Sequence, residues 1–403
     1  MGRTGMLTCT DVLCDHVRVI QRTQSVALAK RALTHLEAGT TDQAPDVMRI
    51  PVEDYVDADL WQREIDLVFK RVPLALALSV ELPGPRSFKA MDVMGVPVLI
   101  SRGTDGFVRA FLNVCRHRGA QLCPVGTGTR HRFRCPYHAW VYDDRGDLVA
   151  VHKPATFGEI DTAEFGLRPL AAEERHGIVW VRLTGEEPLD LESWLGEYER
   201  ELEQLDLADW HVYERHETSG PGWKVALDGY LESYHVQALH RATFAPTNTS
   251  NLMVVDDFGP HQRILYPAKS IKSLRGVPEE EWDPAPHCGT VYTLFPNVSL
   301  AGTWDDYAVL SQIFPGPTPD TSRTVQTVMT RVPPRTEEAR KFAEEFSELV
   351  RRGVFEEDYR IGADVQSAFA SGANTHFVFG RNELALQHHH RWLKRVLAEH
   401  EEG

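Results

Sequence analysis

The sequence predicts an α+β protein, with a small antiparallel β domain embedded in a larger α+β domain whose antiparallel sheet is flanked by helices. Three observations carry this. Short apolar runs alternating with turn signals fill the stretch from about residue 80 to 170. Helical periodicities lie on both sides of that stretch, and further strand-like runs crowd residues 261–332. A chain of 403 residues is also too long for one ordinary core.

The elements follow in order. Residues 26–38 have apolar spacing near about 3.6 and predict a helix. Residues 49–57 predict a strand entry, and 60–72 an amphipathic helix. In the β-rich stretch, runs such as VPVLIS, FVRAFLNV and RFRCPYHAWVY are separated by GTDG, GTGT and DDRGD. Residues 176–183 predict one more strand and 190–206 a charged helix. A helix is expected over 223–240, strands at RILYPA, TVYTLF, YAVLSQIF and TVQTVMTRV, and the last helices over 336–351 and 383–400. The expected division is 1–60, N-terminal helices belonging to the larger domain; 61–172, the β domain; and 173–403, the rest of the larger domain. Repeats and low-complexity tracts are absent from the sequence.

Charge and composition exclude some functions. The 43 basic and 58 acidic side chains leave a net charge of −15. A face built for phosphate carries the opposite sign, so nucleic acid is not expected as a partner. No run reaches the roughly 18–20 apolar residues of a membrane span. Asp11, Cys14, Asp15 and His16 interrupt the start, so a secretory leader is not expected and a cytoplasmic location is. Six cysteines (Cys9, Cys14, Cys115, Cys123, Cys135 and Cys288) are too scattered for a disulfide framework.

Two of them stand beside histidines. Cys115-Arg-His117-Arg-Gly119 and Cys135-Pro-Tyr-His138-Ala-Trp140 each supply one thiolate and one imidazole at a strand–turn edge. Two such loops facing each other would hold a [2Fe–2S] cluster, with sulfur on one iron and imidazole on the other. Histidine ligation raises the potential of such a cluster and suits it to relay electrons from a stronger reductant. The competing reading is structural zinc, but zinc sites pair C-x2–4-C with H-x3–5-H more often than these mixed halves.

The second informative run is Gly222 to His240. Asp228, Glu232 and His235 fall at i, i+4 and i+7, one face of a helix, and Asp228 and Glu232 are the candidate catalytic carboxylates. His240 is offset from His235 by about 140° on a regular helix. One metal meets both rings if the helix ends or bends between them. Two imidazoles and a carboxylate on one face of Fe(II) leave positions open for oxygen and substrate. Alone, two helical histidines are more often surface or core residues; the upstream Cys/His pairs give them weight.

These two motifs resemble the Rieske non-heme iron oxygenases, the aromatic-ring-hydroxylating family of alpha subunits, over about residues 50–395. The resemblance implies that Cys115, His117, Cys135 and His138 bind the cluster and that His235 and His240 bind mononuclear Fe(II). It places the third iron ligand in an acidic segment before a glutamine; the match ending at Gln366 points to Asp358, with Glu357 and Asp364 as alternatives. It gives Arg116, Tyr137 and Trp140 supporting roles around the cluster. It also gives Glu232 the part of linking a cluster histidine of one subunit to an iron histidine of the next. Ala139 and Gly222 depart from the family's commoner glycine and asparagine. Glu232 stands where many ring dioxygenases have aspartate, and resembles the monooxygenases acting on quaternary amines.

What this implies is the oxygenase component of a multicomponent system. It would use O2 and electrons from a separate NAD(P)H reductase, with or without a ferredoxin, to hydroxylate an aromatic substrate. The alternative is a monooxygenase or demethylase acting on a quaternary ammonium or other aliphatic substrate. The implied assembly is a homotrimer or α3β3. The Gly126-Thr-Gly128 run opens no helix, so nucleotide binding is not expected on this chain. Leu231, Val236, Leu239, Phe244 and the run Leu294–Asn297 are candidate substrate contacts. The triple His388–His390 is expected on a helix surface without metal.

Overall fold

The computed structural model describes residues 9–401 apart from 186, 303 and 305, with side chains from residue 22 onward. Residues 1–8 and the side chains of residues 9–21, those of Cys9, Asp11, Cys14, Asp15 and His16 among them, therefore lie outside the described residues. The predicted α+β architecture is the one found.

The larger domain is built on a seven-stranded antiparallel sheet. Its order is His211–Gly220, Ser322–Thr330, Tyr307–Pro315, Val298–Ala301, Cys288–Leu294, His261–Pro267 and Val254–Phe258. The four expected strands are all present. His211–Gly220 was not expected, because its sequence, HVYERHETSG, is polar and poor in strand formers. It forms because one edge pairs with Ser322–Thr330, with a shift of register between Val212 and Glu214, while most of its side chains reach solvent.

Each sheet face has its own cover. On one, Leu300, Leu310 and Met329 pack with Tyr198, Leu202 and Leu205 of the helix Tyr198–Leu205. On the other, Val309 and Val328 pack with Phe346 and Val350, the latter two from the helix Glu337–Arg351. The charged helix expected over 190–206 is two helices, Leu191–Leu195 and Tyr198–Leu205, because Gly196 adopts a φ of 51° between them.

The small domain carries a five-stranded sheet and a three-stranded sheet. The first has the order Pro169–Leu170, Val108–Leu112, Val96–Arg102, Ser87–Val93, Gly126–Thr129; the second is Phe133–Arg134, Val141–Tyr142, Leu148–Ala150. Their shared core includes Phe88, Leu99, Phe111, Trp140 and Tyr142, and both loop cysteines end in it. Leu74–Leu78 pairs with Ile178–Val181 and ties the two ends of this domain together. A buried ion pair joins the domains: Lys89 donates to Glu81 at 2.9 Å, and Glu81 also accepts from Arg215 on the polar edge strand.

The helix expected over 60–72 starts at Ala58–Arg63 and continues as a wider turn, Glu64–Phe69. Val68 and Phe69 share a core with Leu393, Val396 and Leu397 of the C-terminal helix Leu384–Glu401. That helix corrects the surface expectation for His388–His390. His389 and His390 are buried, and His388 bonds the carbonyl of Gly259 at 2.8 Å. No helix among the described residues is long and apolar enough to cross a membrane.

Candidate metal centres

The two cysteine–histidine loops are built alike. Gly119 N–H donates to the Cys115 carbonyl at 2.9 Å, and Ala139 N–H to the Cys135 carbonyl at 3.1 Å. Each loop closes through a left-handed residue, Gly119 at φ 79° and Ala139 at φ 59°. Ala139 thus occupies the conformation that favours glycine, at the steric cost its Cβ brings there. The closures bring the rings of His117 and His138 to 4.8 Å, edge to face, with both thiols buried.

The donor set fits an iron–sulfur cluster. His138 Nδ1 is buried with no hydrogen-bond partner. Burial pushes the Cys115 thiol pKa up, and the neighbouring Cys135 adds to this. A buried thiolate pair is stable only against a strong local positive charge.

Trp140 stacks on His117 at 4.9 Å and 12°. Tyr137 lies over His138 on the exposed side, with Arg118 above its own ring. Tyr142 was not singled out from sequence, yet its hydroxyl lies 3.4 Å from Cys115 Sγ and accepts from Arg116 N–H at 2.9 Å. The signal was faint: a tyrosine on the strand directly after the second loop.

The second site differs from the expected single helix over 223–240. The helix Trp223–Asp228 ends at Gly229, and helix resumes only at Val236–Leu239. The break resolves the 140° problem, because His235 and His240 flank the short second helix and turn their rings together. Their Nε2 atoms are 3.1 Å apart, and Asp358 Oδ1 lies 3.1 Å from His240 Nε2 and 3.7 Å from His235 Nε2. Among the described residues these three are the group able to converge on one metal ion.

The hydrogen bonds behind the rings set their tautomers. His235 Nδ1 donates to Glu232 Oε1, and His240 Nδ1 meets Glu357 Oε2 at 2.6 Å. An ionised carboxylate only accepts, so each Nδ1 carries the proton and each Nε2 presents a bare lone pair. Two lone pairs and a carboxylate oxygen this close repel one another unless a cation stands between them. Ligands bound at about 2.1 Å and at right angles stand about 3 Å apart, as the two Nε2 atoms do. Burial opposes the charged form of His240, but bonds and charges from Asp358 and Glu357 outweigh it and raise its pKa. The site therefore attracts positive charge, and the residues fit Fe(II).

Glu232 sits inside the break, where it also accepts the backbone N–H groups of Tyr234 and His235. Glu357, expected only as an alternative ligand, backs His240 and accepts from Thr243 Oγ1 at 2.5 Å. Asp358 supplies the converging oxygen, and Asp364 lies a helix turn or more further on, in Tyr359–Ser367.

Asp228 is a correction. It was expected on one face with Glu232 and His235, but the helix ends before that face continues. Its carboxylate instead accepts from the Tyr55 hydroxyl at 2.6 Å and meets His390 Nε2 at 2.9 Å. It thus anchors its helix to the C-terminal helix, away from the converging atoms.

A cavity of about 590 Å³ opens on the three donors. Val236 and Phe244 line it as expected. Leu231 and Leu294 are fully buried in cores instead. The remaining lining comes from the sheet, from the break and nearby loops (Tyr230, Thr247, Asn248 and Thr249 among them), and from Phe342, Phe346, Leu349 and Val350 of the helix above it.

Comparison with known proteins gives two family matches along the chain. The Rieske [2Fe-2S] domain model matches residues 72–164, and the model of the ring hydroxylating alpha subunit (catalytic domain) matches residues 207–399. The chain is 29% identical over 192 residues to the glycine betaine monooxygenase oxygenase subunit of Pseudomonas aeruginosa, covering 47% of this chain and 44% of that one. It is 31% identical over 200 residues to the carnitine monooxygenase oxygenase subunit of Acinetobacter pittii, covering 49% and 54%. It is 29% identical over 211 residues to the anthranilate 1,2-dioxygenase large subunit of Acinetobacter baylyi, covering 50% and 45%. The matched stretches span about half the length of these curated relatives. Among solved structures, a quaternary ammonium Rieske monooxygenase with L-carnitine aligns with a TM-score of 0.74 at 22% identity, covering 88% of this chain and 97% of that one. Naphthalene 1,2-dioxygenase from Rhodococcus sp. aligns at 0.68 and 18%, covering 93% and 98%. At these identities the likeness is one of fold.

Proposed function

Because the chain belongs to the Rieske non-heme iron oxygenase alpha subunits, with a [2Fe–2S] domain and a mononuclear-iron catalytic domain, we propose that it is the oxygenase component of a multicomponent monooxygenase. The observation that carries this is the pairing, in one chain, of the Cys115/His117/Cys135/His138 loops with the His235/His240/Asp358 cluster beneath a substrate-sized cavity. The reaction inserts one oxygen atom into a C–H bond: substrate, O2, two electrons and two protons give the hydroxylated product and water.

When bound, the mononuclear iron supplies oxygen activation and the cluster supplies electrons. The chain's own residues do the rest. Glu232 and Glu357 hold the two imidazoles with Nε2 forward. Asp358 adds the one anionic donor, and the apolar lining keeps water from the reacting C–H bond. The subunit-bridging role implied by resemblance would add a second imidazole to the carboxylate that already holds His235. That role requires a head-to-tail trimer, with or without β subunits. A separate reductase, with or without a ferredoxin, delivers the electrons.

For the substrate class, the glutamate at 232 and the glycine betaine and carnitine relatives support the monooxygenase reading over the aromatic-ring one. The aromatic-ring reading keeps the support of the apolar cavity and the anthranilate relative. Turnover under 18O2 with a surrogate reductase separates them. The monooxygenase reading expects one labelled oxygen in the product; two, in a cis-diol, would overturn it in favour of ring dioxygenation.

A further inference from the structure

The cavity floor carries a polar row that metal binding does not use. Ser299 stands opposite Ser311, and Ser311 opposite Gln326, across three adjacent strands. Residues directly opposite in an antiparallel sheet leave the same face, and all three line the cavity. The parallel row two residues along is apolar: Ala301 opposite Val309, and Val309 opposite Val328.

Gln326 is the anomaly in this floor. Its side chain is 0% exposed, and both Nε2 and Oε1 lack any hydrogen-bond partner. Burying an amide without partners is costly, and a leucine would fill the same place without that cost. An unpaired donor and acceptor facing a cavity is explained by a ligand that pairs them.

The charges around the cavity narrow the ligand further. Among the described lining residues there is neither Lys nor Arg. An anionic group on the substrate would therefore be buried without a basic side chain to pair with. The lining carboxylates are Glu232 and Asp358, and both are already directed at the histidines. A cationic group would meet only these two engaged carboxylates and the rings of Tyr230, Phe244, Tyr266, Phe342 and Phe346.

Resting on the oxygenase reading, we propose that Gln326 is the hydrogen-bonding anchor of the substrate. The substrate is then an uncharged, largely apolar molecule bearing a carbonyl, hydroxyl or amide. It is neither a betaine nor another carboxylate, unlike the compounds named for the glycine betaine and carnitine relatives.

The test is titration calorimetry of the iron-loaded full chain with four probes built on one adamantane cage. These are 2-adamantanone, its isostere 2-methyleneadamantane, adamantane-1-carboxylate and trimethyl(1-adamantyl)ammonium. The ketone is expected to bind about tenfold more tightly than the methylene isostere, the scale of one good hydrogen bond to a buried amide. Both charged probes are expected to bind more weakly than the ketone. Gln326→Leu is expected to erase the ketone preference while the isostere binds unchanged, with iron content and cluster spectrum intact. Equal binding of ketone and isostere by the unaltered protein overturns the assignment, as does tightest binding by a charged probe or binding by none. The first comparison needs no variant, so misfolding of Gln326→Leu cannot shelter the proposal. Failure with both metals in place strikes only Gln326; a chain that never holds iron strikes the oxygenase reading beneath it.

Discussion

His235→Ala abolishes turnover and empties one metal centre while leaving the visible spectrum of the other unchanged. The reasoning is geometric. His235 Nε2 is one of three converging donors, 3.1 Å from His240 Nε2. Structural zinc sites with four ligands bind with about 10–16 kcal/mol, which makes one ligand worth on the order of 3 kcal/mol, about a hundredfold in affinity. The remaining pair, His240 and Asp358, is then too weak to keep iron through purification. The cluster loops close through their own backbone bonds and share no hydrogen bond with this site. Iron analysis, a visible spectrum and a turnover assay on one preparation check all three. Retained turnover would show that His235 is not a ligand.

Glu232→Gln is the second large effect, and a subtler one. In the folded chain the carboxylate accepts from His235 Nδ1 and from two backbone N–H groups inside the break. The amide keeps the size and one acceptor. It loses the charge that favours the Nδ1-protonated tautomer, and it can present an N–H where an acceptor is needed. Replacing such a supporting group costs about 10–100-fold in activity or metal affinity. Because Asp358, His235 and His240 remain, the expected loss falls on the rate of single turnover from the reduced cluster, with both metals retained. A rate equal to that of the unaltered protein would contradict the positioning role of Glu232. Loss of iron would place its effect on binding instead.

Much of this was legible in the sequence, and the reason is local. CRHRG and CPYHAW hold their donors within one turn of chain, so spacing alone defines each loop. The buried strands of the large sheet announce themselves by apolar runs. What stayed hidden depends on contacts between distant segments. The helix break at Gly229 cannot be read from a stretch whose polar residues keep helical spacing. Asp228 had the right spacing, but Tyr55 and His390 claim it from 173 and 162 residues away. Glu357 and Asp358 are neighbours in an acidic run. Only their direction separates the residue that meets the two Nε2 atoms from the one that backs His240. The strand His211–Gly220 owes its form to its partner rather than to its own residues. His389 and His390 read as surface because a histidine triplet is polar, whereas the C-terminal helix turns two of the three inward.

The central claim is that two different iron centres share this chain. Iron content and the visible absorption spectrum of anaerobically prepared protein, taken together on one sample, test it most directly. About three irons per chain, two in the cluster and one alone, with the broad bands of a histidine-ligated [2Fe–2S] cluster, is the expected result. A colourless protein after reconstitution with iron and sulfide, or one holding zinc in the cysteine loops, would contradict it.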